Sequence, residues 1–173
     1  MHRLIFVLSL AILAACSKPE KQISMIPQDP HSYAAQGDAV VKHLALDLSV
    51  DFAKKQLKGS ATWQIANTAD GKKIVLDTRG LTVEKVLLDN GKETTWRMGE
   101  DKPYMGQALE IEITPTTKSI TVFYSTSPDA AALQWLDPSQ TAGKKNPFLF
   151  TQSQAILART WVPCQDSPGI RFT

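Results

Sequence analysis

The sequence predicts an all-β domain, and three features of its 173 residues carry that expectation. Leu44, Leu46, Leu48, Val50 and Phe52 alternate with more polar residues, the period of two that a strand with one buried face requires. Asp89-Asn90-Gly91 supplies the positive φ angles of a tight hairpin turn. Beyond the N-terminal leader, no stretch shows the three-to-four-residue apolar spacing of an amphipathic helix, and short β-prone runs recur at regular intervals.

In chain order, residues 1–16 read as a lipoprotein signal peptide. Arg3 opens it, Leu4 to Ile12 is an apolar run too short to span a bilayer, and Leu13-Ala14-Ala15-Cys16 resembles a lipobox in which Cys16 is lipidated. The expectation is therefore an exported bacterial protein held by N-terminal lipid to a cell-envelope membrane, on its periplasmic side or at the cell surface. An ordinary signal peptide with Cys16 near its cut is the alternative. Residues 17–38, rich in Lys, Pro and polar side chains, read as a tether. His31 lies there, with no partner nearby in sequence.

Residues 39–173 read as the folded domain. After the long first strand, Gly59 is expected to mark a chain reversal, and Ala61, Trp63 and Ile65 form the returning strand. Lys73 to Asp77 and Leu81 to Leu88 give two more. Beyond Trp96 the pattern loosens until Leu109, Ile111 and Ile113 alternate with Glu110 and Glu112; Pro115 ends that run, and Ile120, Val122 and Tyr124 begin another. Trp135 reads as a buried anchor, and Thr141 to Pro147, with Lys144 and Lys145, as a solvated loop.

Composition excludes several classes. Net charge is +2 with basic residues scattered, so no nucleic-acid footprint is visible. The three histidines, His2, His31 and His43, have no metal-ligand spacing, and no nucleophile–base constellation stands out. With Cys16 assigned to lipid, Cys164 is alone and expected to be buried. The residues best placed to bind something are Gln152 and Gln154. In an extended segment they would face one side and present two neutral amides, suited to a peptide end or backbone.

Several stretches together resemble a known family: Leu76-Asp77-Thr78-Arg79-Gly80-Leu81, Ala132-Leu133-Gln134-Trp135-Leu136, Thr141-Ala142-Gly143-Lys144, Phe150-Thr151-Gln152-Ser153-Gln154-Ala155-Ile156 and Val162-Pro163-Cys164-Gln165-Asp166-Ser167-Pro168. In order and spacing they are similar to the N-terminal domain of the aminopeptidase N (M1) family of zinc metallopeptidases, and within it to the leukotriene-A(4) hydrolase branch. The resemblance implies a saddle-shaped β-domain beside a separate zinc-bearing catalytic domain. It implies that Gln152, Gln154 and Ala155 line the substrate cleft, with Gln154 helping to hold the free amino end of a peptide. The wider family has Glu at the position of Gln154, and Ser167 stands where it has another Glu. Asp166 is expected to stabilise a turn. No catalytic or metal-binding residue is expected within these residues; zinc would belong to the full-length parent. The chain then reads as a fragment, a substrate-cleft domain of a zinc aminopeptidase that is not catalytic by itself, its partners being the catalytic domain and a peptide substrate. A stand-alone lipid-anchored β-module with a binding role or lost function is the other reading.

Overall fold

The computed structural model describes residues 29–34, 39–67 and 71–173. The leader, Cys16 and most of the tether lie outside the described residues. Nine strands and two short 3-10 turns follow one another: β1 (Ala39–Asp51), β2 (Gln56–Asn67), β3 (Lys73–Thr78), β4 (Leu81–Leu88), β5 (Trp96–Met98), β6 (Gln107–Glu112), β7 (Ser119–Thr126), β8 (Leu133–Leu136), a turn at Pro138–Gln140, β9 (Phe148–Thr151) and a turn at Ala158–Thr160. The domain is all-β and antiparallel, as the alternation predicts.

Strand order is β1-β2-β7-β4 in one sheet, β3-β6-β5 in a second and β8-β9 in a third. The first two sheets share one core. Val41, Ala61, Trp63, Val86, Ile120, Val122 and Tyr124 from the first meet Ile74, Leu76, Leu109 and Ile111 from the second. Burying a large apolar side chain of this kind contributes about 1.5–3 kcal/mol, so the alternating positions dictate which face of each strand turns inward. Trp63 is the largest of them, and its indole Nε1 donates to the Pro163 carbonyl at 2.8 Å, so that its polar atom is satisfied in the core. A smaller cluster of Leu57, Ala130 and Leu133, with Trp135 and Leu149 against it, seats the β8-β9 hairpin.

Four expectations need correction. β1 is a strand, but its apolar stripe is only partly covered: Leu46, Val50 and Phe52 are 40%, 46% and 39% exposed, while Leu44 and Leu48 pack on the core. β1 is the edge strand of its sheet, and its fully buried residues are Ala39 and Val41, before a register shift between Val41 and His43. Gly59 does not reverse the chain; the turn falls at residues 52–55, and Gly59 sits within β2 opposite Leu48. There a Cβ would collide with the Asp47 carbonyl oxygen, so the glycine serves close strand approach. Beyond Trp96 the chain forms the short strand β5, paired with β6. Gly91, at φ +74°, does make the turn after β4 that Asn90-Gly91 predicts. Trp135 is an anchor, half-buried rather than enclosed, packed edge-to-face on Phe52 with ring centroids 5.5 Å apart.

Candidate functional site

The segment after β9 leaves the extended conformation at once. Residues 154–157 form a turn, closed by the Leu157 N–H donating to the Ser153 carbonyl at 2.9 Å. Gln152 and Gln154 therefore do not project side by side from a strand. Instead the Gln152 side-chain carbonyl accepts the Gln154 backbone N–H at 3.0 Å, so Gln152 braces the turn that carries Gln154. The Trp161 indole N–H donates to the Ser153 hydroxyl at 3.0 Å and fixes the same turn from below. Gln154 and Ala155 are exposed, and among the described residues the Gln154 side-chain amide makes no hydrogen bond.

Gln154 and Ala155 line an open cleft of about 510 Å³; Gln152 is not part of its lining. Asp29, His31, Asp166 and Ser167 share that lining. Behind Asp166, outside the cleft lining, lies a buried charge group of which sequence reasoning missed Arg159 and Asp77. Arg159 is fully buried, its Nε donating to Asp166 Oδ2 at 3.1 Å, Nη1 to the Met105 carbonyl at 3.1 Å and Nη2 to the carbonyls of His31 at 2.8 Å and Asp166 at 3.1 Å. Asp77, equally buried, accepts from the Ser32 hydroxyl at 2.6 Å and from the backbone N–H groups of Tyr33 at 2.7 Å and Asp166 at 2.9 Å. One guanidinium thus lies between two carboxylates, with Arg159 Nη1 3.8 Å from Asp77 Oδ1. Burial pushes the Asp166 carboxyl above the ordinary aspartate range even though Arg159 pulls it down. A buried charge group in this position specifies geometry more than it adds stability.

Next to this node Gln165 closes the domain. Its Oε1 accepts from the Val41 N–H at 3.0 Å, and its Nε2 donates to the carbonyls of Ala39 at 3.0 Å and Val75 at 3.3 Å. Cys164 is buried as expected, and burial raises its thiol well above the usual value, which removes it from nucleophilic work. Asp166 braces a neighbouring turn rather than its own, accepting the backbone N–H of Arg159, in the Ala158–Thr160 turn, at 3.3 Å. The signals that were present are one arginine in the apolar run Ala155 to Val162 and one aspartate in the β-prone run of β3. His31, expected to stand without a partner, has one two residues before it: Asp29, whose Oδ1 lies 3.4 Å from the imidazole Nδ1. Among the described residues no group of three or more His, Cys, Asp or Glu could hold a metal ion, so this donor set does not fit zinc.

The described residues thus form an antiparallel β-domain that presents Gln154 and Ala155 in an open cleft. The chain belongs to the Peptidase M1 N-terminal domain family, which it matches over residues 30–173. It is 39% identical over 151 residues to leukotriene A-4 hydrolase of Xenopus laevis, covering 84% of this chain and 25% of that protein. It is 34% identical over 155 residues to leucine aminopeptidase 2 of Sclerotinia sclerotiorum, covering 86% and 26%. Native yeast LTA4 hydrolase superposes with a TM-score of 0.78 at 32% identity, over 86% of this chain and 24% of that one. An M1 zinc metallopeptidase from Deinococcus radiodurans, at 21% identity and a TM-score of 0.58, shares the fold. The chain spans about a quarter of the length of the relatives it matches.

Proposed function

We propose that this domain forms one wall of the substrate cleft of a zinc-dependent aminopeptidase and is not catalytic by itself. The observation that carries the reading is the Gln152–Ala155 turn: Gln154, its backbone N–H braced by Gln152 and its side-chain amide without a hydrogen bond among the described residues, lines a cleft. Gln154 and the Ala155 backbone hold the amino end of a peptide there, and Gln152 fixes their geometry. A neutral amide binds an ammonium by hydrogen bonds weaker than those of a carboxylate, so positioning is its main contribution. Zinc would be held by residues of the parent enzyme, since the donors among the described residues do not fit it; no step of the reaction is assigned to the described residues.

The test is to purify the protein from its native host and measure intact mass, zinc content and aminopeptidase activity. A zinc-bearing, active species in which Gln154→Ala lowers kcat/KM about tenfold, the scale of one hydrogen bond to a charged group, supports the reading. Unchanged kinetics in that variant would sink it. From the leader we also infer export and lipid attachment at Cys16. Metabolic labelling with palmitate should mark the protein and be lost in Cys16→Ser; label retained in the variant overturns the attachment site.

A further inference from the structure

The cleft that holds Gln154 has a second polar wall, in the short segment 29–34. The backbone of His31 is held at both ends of its residue. Its N–H donates to Asp29 Oδ1 at 2.9 Å, and its carbonyl accepts Arg159 Nη2 at 2.8 Å. The imidazole itself is 69% exposed, with Nδ1 3.4 Å from the same Asp29 oxygen. A rigid mount with a free ring differs from an ordinary surface histidine.

A carboxylate beside Nδ1 favours the tautomer with hydrogen on Nδ1, which leaves Nε2 with its lone pair directed away from Asp29. The His31 N–H holds the Asp29 carboxyl below its usual range, so this partner is ionised at neutral pH. An ammonium group has three donors, and the Gln154 amide offers it one acceptor oxygen. We propose that His31, oriented by Asp29, is a second acceptor for an amine bound in the Gln154 cleft. This rests on the reading of the cleft as a site for a free amino end.

With hydrogen on Nδ1, Nε2 keeps its lone pair and accepts a hydrogen bond from the ammonium. The other polar groups lining the cleft around His31 are Asp29, the Asp166 carboxylate over Arg159, Ser167 and Gln165, whose amide is spent on Val41, Ala39 and Val75. Asp166 is engaged with Arg159 and does not replace the imidazole.

The experiment uses the full chain and NMR, with leucinamide as probe and N-acetyl-leucinamide, which lacks the amine, as control. At pH 7.5 leucinamide should shift the Gln154 side-chain amide and the His31 imidazole together and saturably, and the control neither. His31→Ala should bind about tenfold more weakly, on the scale of one hydrogen bond to a charged group, whereas His31→Gln, which keeps an acceptor, should retain most of the affinity. If Gln154 responds with the same affinity in wild type and His31→Ala, the role of His31 is overturned while the reading of the cleft stands. If Gln154 responds to the control as well as to the amine, or to neither, the cleft is not an amine site and both readings fall.

Discussion

Two polar clusters lie a few residues apart in this domain and differ in what they leave unmatched. In the Asp77–Arg159–Asp166 node nearly every donor and acceptor meets a partner inside the protein, and the three residues are buried or nearly so. In the Gln152–Ala155 turn the backbone is braced but the Gln154 amide faces solvent without a partner. The contrast teaches how to separate a polar framework from a polar site. Saturated hydrogen bonding under cover fixes shape; free hydrogen-bonding capacity on a fixed mount is available to a ligand.

That contrast can be broken most directly at Arg159. Arg159→Met leaves two carboxylates under cover without their cation, and should lower unfolding stability by about 3–5 kcal/mol in urea titrations; a loss below about 1 kcal/mol would show that water already screens the node. Gln165→Leu removes the bonds that tie β1 and β3 to the C-terminal segment. It should cost about 1–3 kcal/mol for the buried groups left unmatched, measured in the same way. A smaller effect is expected at Asp29, whose carboxyl is held below its ordinary range first by the His31 N–H. Its contribution is present above the unfolded-state value of about 3.9 and is lost as pH falls through the lower folded-state value. Asp29→Asn should therefore flatten the acid limb of a stability–pH profile and leave its neutral region nearly unchanged; an unaltered acid limb contradicts the assignment. The smallest effect sharpens the comparison from the other side: Gln154→Ala should change stability by no more than about 0.5 kcal/mol, because its amide contributes nothing internally. A large loss there would mean that Gln154 belongs to the framework.

The legibility of these regions in the sequence follows the range of their contacts. Strand existence rests on local alternation, and the runs at Trp63, Ile111 and Val122 were readable because each buried face repeats every second residue. Burial along β1 was not, since the same alternation describes an edge strand whose outer residues the second layer covers only in part. Gln152 and Gln154 stood out by resemblance, but their spacing suggested a strand, and the Gln152-to-Gln154 bond that makes the turn gives no periodic signal. Arg159 and Asp77 gave a local signal, a charge in an apolar or β-prone run, but the network they form with Gln165 was not legible. Most of its contacts join residues far apart along the chain, as when Gln165 meets Val41 across 124 residues, and residue type does not announce such contacts.

The clasp formed by Gln165 and Pro163 also governs when this domain can be assembled. The first strand and its neighbour are capped by residues near the other end of the chain: Val41 by Gln165, Trp63 by the Pro163 carbonyl and the Phe172 ring at 4.7 Å, and Leu44 by the Thr173 carbonyl at 2.8 Å. A nascent chain emerging from the ribosome with β1 and β2 complete still lacks the groups that satisfy them. Productive folding of the domain therefore waits until synthesis has reached Thr173, and its rate belongs with the slow, ms-to-s regime of domains built from distant contacts.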